Sequence, residues 1–119
     1  GELALNTNTG SANKTTTVTN TGNVSIGVQV DGYGATNGDG KAMTCSNGSV
    51  AIEKETYSKT AGIPYASKTL LTDTAAPVTD FSVAKRTTTA TTGDIFWGFG
   101  LPLNGVGGSC SGTVVFTAI

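Results

Sequence analysis

Apolar and polar residues alternate with a period of two in several short runs of this chain, and no stretch of ten residues keeps a helical period. The clearest run is Val24-Ser25-Ile26-Gly27-Val28-Gln29-Val30, in which β-branched residues at every second position define a strand with one buried and one wet face. The Thr-rich run Lys14–Asn20 precedes it and is joined to it through Thr21-Gly22, so the spacing predicts a hairpin over 14–31. Leu3-Ala4-Leu5 reads as a short alternating strand, either an edge of the same sheet or a free arm.

Further half-buried strands are expected around Val50 and Ile52 and around Phe81 and Val83. From Ile95 to Leu101 the larger residues Ile95, Trp97, Phe99 and Leu101 share one side. Gly98 and Gly100 on the other side leave room for a backbone or a large ring to approach. The closing run Thr113–Ile119 is apolar on both faces, which predicts a strand inside a sheet. Turn clusters fall at 31–40, 47–48, 62–64, 73–77, 87–93 and 104–108, and the segment 67–76 has room for one short helical turn. The expected architecture is an all-β antiparallel sandwich of two sheets, immunoglobulin-like or jelly roll, with roughly seven to nine strands. Residues 1–12 form an N-terminal strand or donor arm, and 13–119 form the sandwich domain.

Composition narrows the function classes. The 119 residues carry 13% charge and a net charge of −1, while Thr, Ser, Asn and Gly fill nearly half of the positions. Basic residues stand singly except for Lys85-Arg86, which offers no stripe for nucleic acid, and no apolar run is long enough to span a bilayer. The chain opens Gly1-Glu2-Leu3 and reads as a processed mature form or an excised domain. With no His and no C-x-x-C pair, Cys45 and Cys110 point to a structural disulfide, which in the chain-entropy model stabilises the fold by about 4 kcal/mol. Such a bond places the protein outside the cell or on its surface.

Candidate chemistry is sparse. Without His there is no ordinary general base or triad, so the chain is not expected to be a conventional enzyme, and no cofactor is implied. Glu53 and Glu55, two apart, read as a solvated strand face rather than a glycosidase pair. The oxygen-rich loop carrying Asp31, Asn37 and Asp39 is a weak candidate for calcium, without EF-hand spacing. Trp97, Tyr33, Tyr57 and Tyr65 would make a sugar-stacking platform if exposed together, but Trp97 between Ile95 and Phe99 reads as core. Asn13, Asn23 and Asn47 head N-x-S/T sequons, candidate glycosylation sites in an exported protein. Lys85 and Asn104 are the pair to test for an isopeptide crosslink.

The segment Thr17-Val-Thr-Asn-Thr-Gly-Asn-Val-Ser-Ile-Gly-Val-Gln-Val-Asp31 resembles a hairpin of extracellular immunoglobulin-like sandwiches, including fibre subunits of the TasA and camelysin type. The tail from Phe96-Trp97-Gly98 through Leu101-Pro102 to Ser109-Cys110-Ser111 and Ala118 is similar to the closing strands of small secreted surface domains. This resemblance implies a structural subunit of an extracellular, pilus-like filament or surface layer. Its copies would assemble into a homopolymer by strand addition, with Leu3, Ala4 and Leu5 as the donor strand. The competing expectation is a carbohydrate-binding or adhesive module of a larger surface protein, with glycans as partners.

Overall fold

In a computed structural model of the chain, residues 3–12 and 14–119 are described. Ten strands follow one another: β1 (Lys14–Asn20), β2 (Val28–Tyr33), β3 (Lys41–Asn47), β4 (Ser49–Ala51), β5 (Glu55–Ser58), β6 (Thr69–Leu70), β7 (Ala76–Pro77), β8 (Thr91–Phe99), β9 (Gly107–Ser111) and β10 (Thr113–Ala118). Helix is confined to single 3-10 turns at Ile52–Lys54 and Tyr65–Ser67. The strands the pattern did not single out are β3, β5 and β9 and the two-residue pieces β6 and β7, the last two too short to leave any periodic signature.

Three antiparallel sheets form, ordered β1-β8-β5-β6, β10-β2-β7 and β4-β3-β9. The first two enclose the core. Val28 and Val30 from β2, Tyr57 from β5, Ile95 and Trp97 from β8, together with Leu71 and Val78, make one buried cluster. Val18, Val114 and Phe116 pack against it. The register puts these residues on one face: Thr16 lies opposite Ile95, and Trp97 lies between Lys14 and Tyr57. The third sheet is pinned where Cys45 of β3 faces Cys110 of β9, joined by a disulfide with their Cα atoms 4.0 Å apart. Gly48, at φ +73°, supplies the left-handed residue that lets β3 turn directly into β4. The radius of gyration, 15.2 Å, exceeds the ~13.5 Å of a compact chain of this length, so the body is elongated.

The expected hairpin over 14–31 does not form. β1 pairs with β8, whereas β2 pairs with β10 and β7 in the facing sheet. The cause is Asn20, 4% exposed, whose side chain accepts the Gly22 N–H at 2.9 Å. Its Nδ2 lies 2.8 to 3.1 Å from the carbonyls of Val24, Val83 and Ala84. These bonds hold 21–27 as an arch between sheets. Val24 is therefore 65% exposed, and the strand begins at Val28 rather than Val24. Phe81 and Val83 form no strand either. Val83 makes a single bridge to Ile26, and both side chains pack over Gly93.

β10 is an edge and not an interior strand: among the described residues it pairs with β2 alone, with Val114 and Phe116 packed against the core and Thr113, Val115 and Thr117 on the alternate row. Leu3-Ala4-Leu5 joins no ladder. Residues 6–9 instead run along 99–102, through Asn6 N–H to Pro102 O, Leu101 N–H to Thr7 O and Thr9 N–H to Phe99 O.

The role read for Gly98 and Gly100 is realised by Tyr65. A Cβ on Gly100 would lie 2.8 Å from the Tyr65 hydroxyl, and one on Gly98 would lie 2.8 Å from Thr56 Oγ1. The ring thus lies against the outer face of β8 and donates its hydroxyl to Lys54 O at 2.9 Å.

Two outcomes follow for equilibrium denaturation. Asn20→Ala, which removes the four side-chain bonds of a buried residue, should cost about 2–3 kcal/mol, while Asn23→Ala in the exposed turn should change stability by less than about 0.5 kcal/mol. Equal effects would dismiss Asn20 as the hinge of the arch. Gly100→Ala should cost about 1–3 kcal/mol by displacing Tyr65, and combining it with Tyr65→Ala should recover part of that loss.

Candidate functional site

The two enclosing sheets do not close on the side where β1 and β10 run. Both are outer strands, each paired on one side only. Between them opens a cavity of about 280 Å³. Its floor is Trp97 and Phe99 of β8, its walls are Lys14 and Thr16 of β1 and Val114 of β10, and Met43 and Thr9 close one end. The inward row of β5 adds Glu55, which sits opposite Phe99 just as Tyr57 sits opposite Trp97. A second hollow, about 930 Å³, continues past Met43 and Phe99 between Leu3 and Ala4 of the arm and Cys110 of β9.

Trp97 spans the two sheets here. Its ring meets Tyr57 at 5.7 Å and 54°, and Phe116 edge-on at 6.0 Å and 88°. Its indole N–H donates to Thr16 Oγ1 at 3.0 Å, so its one polar atom is satisfied inside the groove. Glu55 is the one carboxylate in this lining among the described residues. No hydrogen bond reaches its carboxylate among the described residues, and burial pushes its pKa from 4.5 up to about 7.

The structure places the sequence candidates as follows. Glu53 and Glu55 share no face: Glu53 is exposed on a 3-10 turn, and Glu55 faces into the groove, which corrects the solvated-face reading. Asp31 is a buried residue of β2 opposite Val115, and Asn37 is exposed at the loop tip. The Asp39 carboxylate accepts the backbone N–H groups of Ala35, Thr36, Gly34 and Lys41 at 2.9 to 3.2 Å. These bonds hold it well below the usual carboxylate range. Its oxygens serve the turn. No group of three His, Cys, Asp or Glu able to hold a metal exists among the described residues.

The four aromatic candidates form no exposed platform, and Tyr33 is half-buried at the end of β2. Trp97 and Tyr57 are core, and Tyr65 lies on the opposite face of β8. Asn23 and Asn47 are exposed, each beside a turn, whereas Asn13, like Gly1 and Glu2, lies outside the described residues. Lys85 and Asn104 are both exposed, without the burial an isopeptide bond needs. No helix among the described residues is long and apolar enough to cross a membrane.

Sequence reasoning missed Glu55 and Asn20. The signal for Glu55 was its two-residue spacing from Tyr57, which places it on the core side of β5 once Tyr57 is known to be buried. No family model, curated protein or solved structure matches the chain.

Glu55 and Asp39 set opposite limits on stability. Glu55 binds its proton more tightly folded than unfolded, so stability is fully present below about pH 4.5 and falls as pH rises to about 7. The loss is on the order of 2 kcal/mol after allowance for partial exposure. Asp39 binds its proton more weakly when folded, so its contribution is present above about pH 3.8 and fades as pH falls further. Denaturant midpoints measured from pH 3 to 8 should peak near pH 4 to 5, and Glu55→Gln should flatten the alkaline limb alone. An alkaline limb retained in that variant would remove Glu55 as its source.

Proposed function

We propose that the chain is a structural subunit of an extracellular filament or surface layer, in which the N-terminal segment Leu3–Thr9 of one copy docks against the edge of the next. The observation carrying this reading is that the outer strands β1 and β10, each paired on one side, flank an opening into the core. Unpaired N–H and C=O groups along an edge are a template for another extended segment, and a groove beside them gives its alternate side chains a place to go. The arm suits this role. None of its described residues is buried, Leu5 is 44% exposed, and it rests at the lip of the groove with Thr9 in the wall, where residues 6–9 would exchange their bonds to 99–102 of the same chain for bonds to the neighbour's edge. The exposed disulfide region and the accessible sequon residues Asn23 and Asn47 agree with an extracellular setting.

A hydroxyl-rich surface with little charge also fits a subunit packed among copies of itself, since few ions have to be desolvated at the contact. Purified chain, followed by sedimentation velocity and negative-stain electron microscopy from pH 5 to 8, should form polymers. Thr15→Lys with Thr19→Lys, both exposed on the outward row of β1, should lower the polymer fraction at least tenfold without changing the near-ultraviolet signal of Trp97. Removal of residues 1–10 should do the same. A chain of 11.9 kDa that stays monomeric at every pH, or polymers indifferent to both changes, would end the proposal.

A further inference from the structure

Resting on the strand-addition reading, we infer that Glu55 is the gate of the assembly groove: an incoming segment seals it from water, so subunits join when its carboxyl is neutral and separate when it is ionised. The geometry makes this choice unavoidable for the arm. Glu55 lines the opening between Thr16 and Phe99, with no hydrogen-bond donor on it among the described residues. Filling the opening strips away the water that solvates it. A charge so enclosed must be paired or neutralised.

The arm brings no partner. From Leu3 to Ala12 it contains no Lys or Arg; of the ionisable residues flanking it, Glu2 has the wrong sign and Lys14 is held in β1 of its own subunit. Among the described residues, the one other charged group lining the groove is Lys14 of β1, which is exposed. Tyr57 on the same strand, and Glu53 and Lys54 on the turn before it, are the remaining titratable neighbours. Among the described residues, β8, β10, β3 and the arm present Trp97, Gly98, Phe99, Val114, Met43 and Thr9 to the groove. Lys14 is no cause of the Glu55 shift, which is due to burial and runs in the direction of the neutral acid. The carboxyl therefore titrates near neutrality even before assembly, where a small change of pH alters its charge.

If each added subunit takes up one proton, the concentration needed for polymer should rise up to tenfold per pH unit above about pH 7. The test is the critical concentration of the full chain between pH 5 and 9, read by sedimentation, for wild type, Glu55→Gln and Lys14→Met. Wild type should need at least tenfold more protein at pH 9 than at pH 6. Glu55→Gln should assemble equally well across the range, with the Trp97 signal confirming its fold, and Lys14→Met should keep the wild-type response. Wild-type polymer that ignores pH overturns the gate and leaves strand addition standing. A pH response that survives Glu55→Gln, or vanishes with Lys14→Met, assigns the gate to another group and also overturns it. Absence of polymer from all three chains at all pH values removes the strand-addition reading and the gate together.

Discussion

Trp97 holds the two main sheets in register with one another. Its ring lies between Tyr57 of its own sheet and Phe116 of the facing one, and its N–H is taken by Thr16 at the outer strand. An indole is large enough to reach across a sandwich and carries one donor that must be satisfied when buried. Thr16 satisfies that donor from β1, so the core and the edge of the first sheet are tied to the same side chain. What remains open is the margin beyond it, where β1 and β10 have no further strand between them.

That margin explains why the groove is apolar and why Glu55 stands out in it. The inward rows of β5 and β8 continue past the closed core to Glu55 and Phe99, beyond the point where the facing sheet covers them. A carboxyl left there by strand alternation cannot reach full solvation, and the missing hydration appears as an affinity for protons. The same backbone geometry thus supplies an exposed edge, an apolar bed and a titratable group in one place.

The arch at Asn20 has the opposite character, since every polar atom of its side chain is engaged. By tying Gly22 and Val24 to Val83 and Ala84 it carries the chain from one sheet to the other, and so places β1 and β2 in different layers. The disulfide performs a comparable task for the third sheet, holding β9 on β3 immediately before the chain turns into β10.

Much of this was legible in residue order. The lack of His and of a C-x-x-C motif identified Cys45 with Cys110 as a bonded pair, and extended runs identified β1, β8 and β10 as strands, Trp97 as core and the glycines at 98 and 100 as a seat for a ring. Local alternation is enough for these, because it states which faces are apolar. It does not state which strand lies beside which: Val24 to Val30 alternates perfectly, yet half of it is arch, because Asn20 bonds to residues more than sixty positions away. Whether β10 is central or marginal, and whether Glu55 meets water or the core side of a sheet, depends on pairings across the whole chain. The sequence by itself determined β1, β8 and β10 as extended and the inward faces of β8 and of Val28 and Val30, through the fixed geometry of the extended backbone. Only the tertiary structure decided the neighbours, because long-range hydrogen bonds and the packing around Trp97 select among pairings that local pattern leaves equal.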